Sequence, residues 1–251
     1  MQCVILAAGR GVRMGDLTND SPKPMLKVNG KPILEYTLKN LPEEISEIIF
    51  VVGYKGDLIK AHFGNEYKDK KIRYVWQEDL NGSAAALHCA KDFLQEKFLV
   101  LNGDDLYDRS DLKKIINNDL AILAKEIDNP GRFGVIKTDK NDYLLEIIEK
   151  PTADCGNLVN TGAYFLNKKF FDYEMVRISE KEFGLPQTLA KMVKDYKVKV
   201  EKANFWHPVG YPEDILKAEI KAFLCLVTWV LSGLPFPQHW GHGQPQRAIG
   251  R

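Results

Sequence analysis

Between Leu6 and Pro24 the chain sets small residues and two cations where phosphate could be held: Ala7, Ala8, Gly9 and Gly11, then Arg13 and Lys23. Residues with little or no side chain let the backbone approach a ligand and turn its N–H groups toward phosphate oxygens. The spacing also excludes alternatives. Gly9, Gly11 and Gly15 are one residue too far apart for a G-x-G-x-x-G dinucleotide fingerprint, and no G-K-[ST] of a Walker loop follows. The loop therefore argues against hydride transfer and against γ-phosphoryl transfer.

Four further strings carry groups that could do chemistry. Leu101-Asn102-Gly103-Asp104-Asp105 closes an apolar run, and a carboxylate beyond the carboxyl end of a strand can hold a hard cation such as Mg²⁺. A bare Gly-Asp-Asp also suits a turn, and Asp105 reads as a turn or capping residue. Trp76-Gln77-Glu78-Asp79-Leu80-Asn81-Gly82 offers an amide that both donates and accepts. Glu149-Lys150-Pro151 and Asn160-Thr161-Gly162 supply a carboxylate, a cation and a second amide.

These groups need a scaffold, and the apolar pattern supplies one. Cys3–Leu6, Ile48–Val52, Ile72–Trp76, Phe98–Leu101 and Leu120–Ala124 read as buried strands. A helix from Pro32 to Leu41, and a second over Ala84–Phe93 with Ser83 as its N-cap, lie between them. Continuous rather than alternating apolar strands, separated by helices, predict a doubly wound, mostly parallel α/β sheet covered on both faces. The second half mixes strands at Phe133–Lys137, Leu144–Ile148, Leu158–Leu166 and Lys197–Lys202, some of them antiparallel, with helices at Lys168–Met175, Pro186–Asp195 and Pro212–Phe223.

The succession L-A-A-G-x-G-x-R-M, P-K-P-M-L and G-K-P-I-L-E-Y resembles the signature of the sugar-1-phosphate nucleotidylyltransferases, and further matches continue in order to about residue 222. The resemblance implies a Rossmann-like nucleotidyltransferase fold that joins a nucleoside triphosphate to a sugar 1-phosphate and releases pyrophosphate. It assigns Leu6, Ala8, Gly9 and Gly11 to the triphosphate, Arg13 and Lys23 to the reacting phosphates, and Asp104 to Mg²⁺. Gln77 and Gly82 would take the base, at an edge that uracil and thymine share, so UTP and dTTP both stand. Gly134, Glu149, Lys150 and Asn160 would bind the sugar phosphate, glucose 1-phosphate or N-acetylglucosamine 1-phosphate.

One departure bears on activity. The family closes its site with W-x-D-V-G, whose acid is the second metal ligand, whereas this chain reads Trp206-His207-Pro208-Val209-Gly210. A proline side chain cannot ligate, so Mg²⁺ would keep one carboxylate, phosphates and water. Asp105 and His207 are the groups nearby in sequence, and His207 reads as packed or solvent-facing. Pro208 thus leaves open a second class of function, a catalytically weak or inactive relative that binds a nucleotide sugar and regulates a partner. A third retains the fold and takes another phosphorylated acceptor.

Bulk properties bound the rest. Lys and Arg number 35 against 34 Asp and Glu, a net charge of +1, so no broad field invites nucleic acid or a membrane surface. Four scattered cysteines, Cys3, Cys89, Cys155 and Cys225, form no C-x-x-C pair and read as free thiols in a reducing cytoplasm. The opening run carries no basic n-region, so export is not expected. Residues 1–223 form the expected nucleotidyltransferase domain. Residues 224–251 lack Asp, Glu and Lys and form a tail without assigned chemistry, whose apolar run is shorter than the ~20 residues of a membrane helix. No hexapeptide pattern marks a β-helix domain, and the oligomeric state is open, a homo-oligomer included.

Overall fold

The computed structural model describes residues 1–220. Its centre is a ten-stranded mixed sheet. The first five strands are β1 (Gln2–Ala7), β2 (Glu47–Val52), β3 (Glu66–Tyr67), β4 (Lys70–Trp76) and β5 (Lys97–Asn102). The others are β6 (Ala121–Glu126), β7 (Gly134–Thr138), β8 (Leu144–Glu149), β9 (Leu158–Asn167) and β10 (Lys199–Lys202). The helices are α1 (Ile33–Lys39), α2 (Gly56–Phe63), α3 (Ser83–Cys89), α4 (Arg109–Ile116) and α5 (Leu185–Met192).

Strand order runs β8-β7-β9-β5-β1-β2-β4-β3, with β6 against β9 and β10 against β6. The four strands β5-β1-β2-β4 are mutually parallel, as continuous apolar runs require. Successive side chains of β1 serve opposite faces. Cys3, Ile5 and Ala7 join Leu34 and Leu38 of α1, Ile59 of α2 and Leu112 of α4 in one layer. Val4 joins Ala84 and Leu87 of α3 and Leu185 and Leu189 of α5 in the other. Burying each Leu or Ile contributes about 1.5–3 kcal/mol, which makes this double cover the main source of cohesion.

The long strand β9 changes the architecture. It runs antiparallel to β5, with Ala163 opposite Leu101, and antiparallel to β6, with Tyr164 opposite Ile122. Residues 160–164 are thereby carried to the end of β5, beside the loop that leaves β1. Outside the sheet, a short antiparallel pair joins Asp105–Tyr107 to Trp206–Pro208. A smaller apolar group of Met14, Leu26, Val28, Ile33, Leu106, Val209 and Ala218 lies beneath the glycine loop.

Three local expectations change. Ser83 is the first helical residue rather than the N-cap; Gly82 takes the cap position, and the Ser83 hydroxyl accepts from Leu185 N–H at 3.0 Å. A bond to the first residue of α5, about a hundred residues away, outcompetes the local cap. The expected helix at Lys168–Met175 is a short 3₁₀ segment, Lys168–Asp172, which buries Phe170 and Phe171. The helix expected over Ala84–Phe93 ends at Cys89 and passes into a 3₁₀ turn, Lys91–Phe93. Residues 212–220 are helical as expected; the remainder of that helix and the tail from 224 lie outside the described residues. Among the described residues no helix is long and apolar enough to cross a membrane, and Cys3, Cys89 and Cys155 are free.

Candidate active site

Parallel strands deliver their carboxyl ends to one rim, and the rim here holds two adjoining cavities of about 620 and 720 Å³. The smaller is lined by Leu6, Ala8, Gly9, Gly11, Gln77 and Gly82. The larger is lined by Gly134, Glu149 and Asn160. Arg13, Lys23, Asp104 and Lys150 line both and form the seam between them. Every residue that the resemblance assigned to a ligand therefore lies on one continuous surface.

The glycine loop is fastened on three sides. Tyr54 N–H donates to the Ala8 carbonyl at 3.0 Å and its hydroxyl to the Thr18 carbonyl at 2.9 Å. Met14, 1% exposed, plugs the loop into the apolar group beneath it and leaves neighbouring Arg13 outside. Gly11 has φ +69°, and a Cβ there would come 2.8 Å from Cβ of Lys23. A side chain at position 11 would thus push Lys23 from its place. The Lys23 ammonium, nearly buried, is ion-paired with Asp104, whose side chain is 31% exposed. Cation and carboxylate stand together where the cavities meet.

The loop that leaves β4 is closed by its own amide. Gln77 is buried, and its Nε2 donates to Asn81 Oδ1 at 2.9 Å and to the Gly82 carbonyl at 3.2 Å. Its Oε1 makes no hydrogen bond among the described residues. Gly82 has a reason the sequence did not disclose: φ is +99°, and a Cβ would lie 2.4 Å from the Phe183 carbonyl oxygen. The backbone around Phe183 is therefore part of the wall.

The larger cavity depends on strand pairing. Gly134 of β7 faces Glu149 of β8 in register, and a Cβ on Gly134 would lie 2.9 Å from a Glu149 carboxylate oxygen. Lys150 follows with φ +44°, a left-handed conformation uncommon for a residue with a side chain, held by its N–H donating to the Phe133 carbonyl at 3.1 Å. Asn160 donates to the Tyr164 hydroxyl at 2.7 Å and accepts from Gly162 N–H at 2.9 Å, which fixes the amide at the wall.

Asp105 is not a turn residue. It is buried in the pair that joins it to Pro208, and Trp206 Nε1 donates to its Oδ2 at 3.3 Å. Burial, and then the neighbouring Asp104 carboxylate, push its pKa well above the usual carboxylate range. His207 is buried too, with Nε2 2.9 Å from the Asp214 carbonyl oxygen. It is a packed residue, turned to the helix that follows. Among the described residues no group of three or more His, Cys, Asp or Glu could hold a metal ion. Asp104, at the open seam, is the carboxylate that could hold a cation such as Mg²⁺, which takes one or two carboxylates and fills its shell with phosphate and water.

Several lining residues were not singled out in the sequence. Asn102 and Glu182 line both cavities, and Arg132, Tyr164 and Gln187 line the larger. Asn102 lay inside the N-G-D string and could have been read there. Glu182 had no local signal, since the loop that carries it reaches the site only through packing against Gly82.

Comparison with known proteins gives the family and the fold. The chain is 37% identical over 221 residues to the bifunctional protein GlmU of Methanocaldococcus jannaschii, covering 87% of this chain and 53% of that one. It spans about half the length of the GlmU relatives it matches. It is 34% identical over 232 residues to the UTP–glucose-1-phosphate uridylyltransferase AglF of Haloferax volcanii, covering 87% and 95% of the two chains. Its fold matches a UDP-glucose pyrophosphorylase solved with UDP-glucose, at a TM-score of 0.78 and 20% identity over 89% of this chain and 98% of that one. A family model described as nucleotidyl transferase matches residues 2–223, and the chain belongs to that family.

Proposed function

We propose that this protein joins a pyrimidine nucleoside triphosphate, UTP or dTTP, to a sugar 1-phosphate, with release of pyrophosphate. The observation that carries the reading is the seam: a phosphate-cradling loop and a polar acceptor cavity meet at Arg13, Lys23 and Asp104. The name of the Haloferax relative makes UTP with glucose 1-phosphate the first pair to test, with N-acetylglucosamine 1-phosphate as the second acceptor.

The reaction needs no protein nucleophile. A phosphate oxygen of the acceptor bonds to the α-phosphorus in line with the departing oxygen. The α–β bridging bond breaks, and its electron pair leaves on pyrophosphate. Arg13 balances charge on the leaving group, and Lys23 holds the reacting phosphates. Gln77 and the Gly82 backbone set the base, while Glu149, Lys150 and Asn160 hold the acceptor. Mg²⁺ at Asp104 supplies charge neutralisation of the triphosphate when bound.

Pyrophosphate release across a panel of triphosphates and sugar 1-phosphates, with Mg²⁺ present, tests this directly. Turnover with UTP or dTTP is expected. Pro208, a residue without a ligating group, favours a second reading, a nucleotide-sugar-binding regulatory relative. Tight UDP-glucose binding without turnover for any pair would establish that reading instead.

A further inference from the structure

Arg13 is exposed, so a long and mobile side chain has to be brought to one place before it can serve a leaving group. Among the described residues, its guanidinium contact is the ring of Tyr211, with the guanidinium carbon 5.3 Å from the ring centroid. A second guanidinium, that of Arg132, lies over the same ring at 4.2 Å. The two arginines differ in one respect. Arg132 is neutralised by Asp214, Nη2 to Oδ2 3.0 Å, whereas no carboxylate lies within ion-pair distance of Arg13 among the described residues.

The ring itself is fixed by the start of the helix over residues 212–220. Pro212 opens that helix, a position suited to proline, and Tyr211 precedes it. Asp214 reaches back: its Oδ2 accepts from Tyr211 N–H at 2.9 Å and from Gly210 N–H at 3.0 Å, as the third helical residue of a capping box does. The same oxygen takes Arg132. The Asp214 side chain is 6% exposed. Burial works to raise its pKa, and the Arg132 hydrogen bond with the two backbone amides outweighs that and holds it below the usual value. One carboxylate thus ties helix start, ring and Arg132 together. Gly210 completes the fit, since a Cβ there would come 3.1 Å from Arg132 Nη2.

We propose that Tyr211 is a positioning residue for Arg13: its ring, fixed by Arg132 and Asp214, is the platform that presents the Arg13 guanidinium to the triphosphate and to departing pyrophosphate. The proposal rests on the nucleotidyl-transfer reading. An aromatic face holds a guanidinium through the ring quadrupole and leaves its N–H edges free for phosphate oxygens, which a carboxylate partner would occupy. It also restricts the arginine without cancelling its charge.

The test uses the full chain and inorganic pyrophosphate and UTP as probes, with Mg²⁺ present and binding followed by titration calorimetry. Tyr211→Leu is expected to weaken both about three- to tenfold, whereas Tyr211→Phe, which keeps the aromatic face, stays within about twofold. KM for glucose 1-phosphate is expected to move less than either. The double variant Arg13→Ala/Tyr211→Leu is expected to bind pyrophosphate no worse than Arg13→Ala alone, because the ring acts through the arginine. Arg132→Met, which removes the support and leaves the ring, covers the case in which Tyr211→Leu does not fold, and is expected to weaken pyrophosphate about threefold. Parent-like pyrophosphate binding in the Leu variant (or in Arg132→Met if that variant stands in for it), equal losses in Leu and Phe, or additive losses in the double variant overturn the proposal alone. A parent protein that binds neither probe overturns the functional reading, and this proposal with it.

Discussion

The two cavities are made of different material. The smaller is mostly backbone and small residues, from Leu6 to Gly11 and at Gly82, with the amides of Gln77 and Asn102 beside them. The larger is walled by side chains, Glu149, Asn160, Tyr164 and Gln187, that come from strands and helices far apart in sequence. On the proposed reading the smaller cavity takes a triphosphate, which presents the same oxygens whatever the base, so backbone N–H groups and cations suffice. An acceptor is distinguished by its hydroxyls and substituents, which only side chains can read. Change therefore has little freedom on the first side and much on the second, and the departure from the family signature, Pro208, lies on the second.

Removing the shared charge should hurt most. Arg13→Ala is expected to lower turnover about 10²- to 10³-fold, the range found when one preorganised charge-stabilising group is deleted. The thermal midpoint should stay put, because the side chain is exposed. Turnover within a few-fold of the parent would show that the leaving group is served elsewhere.

Gly82→Ala should come next, as a loss of stability. Strain at φ +99° and a contact 2.4 Å from a backbone oxygen predict a cost of about 1–3 kcal/mol in urea unfolding. The displaced wall should also raise KM for the triphosphate more than for the acceptor. An unchanged unfolding midpoint would mean that the loop yields freely and that the smaller cavity is not a rigid cradle.

Glu149→Gln probes the other side. Loss of a charged acceptor of hydroxyl hydrogen bonds is expected to raise KM for the sugar phosphate about tenfold and leave KM for the triphosphate within twofold. Equal rises for both substrates would erase the division of labour between the cavities.

The same contrast explains what the sequence could disclose. Backbone-built features are local: apolar strand, small residues and cations follow one another from Cys3 to Lys23, so their chemistry can be read from the string. Side-chain walls depend on pairing. Asn160 and Tyr164 reach the site because β9 runs antiparallel to β5, and Glu182 because the backbone of Phe183 packs on Gly82. Tyr211 and Arg132 meet over a span that no local pattern marks. Ser83 shows the opposite error: a sound local N-cap signal lost to a distant bond with Leu185. Asp105 read as a turn because its strand is three residues long and exists only through its partner, Trp206–Pro208.

That partner allows the finest test. Pro208 stands opposite Asp105 in the register, so Pro208→Asp sets a second carboxylate across from a buried one and close to the Asp104 seam. At a pH high enough to ionise Asp105, whose pKa stands above the usual carboxylate range, like charges facing each other across an antiparallel pair cost about 0.2–1 kcal/mol, which in a domain of this size lowers the melting midpoint by up to about 4 °C in EDTA. Loss of proline alone also destabilises, through the freer unfolded chain, and Pro208→Ala measures that part. The informative quantity is then the response to Mg²⁺. A ligand that binds only the folded state raises the midpoint according to its affinity. Pro208→Asp should gain more from Mg²⁺ than either the parent or Pro208→Ala, and its half-saturating Mg²⁺ in turnover should fall about threefold. Equal Mg²⁺ responses in all three proteins would mean that position 208 does not face the cation. Any second carboxylate for the cation would then have to be Asp105, which already accepts from Trp206.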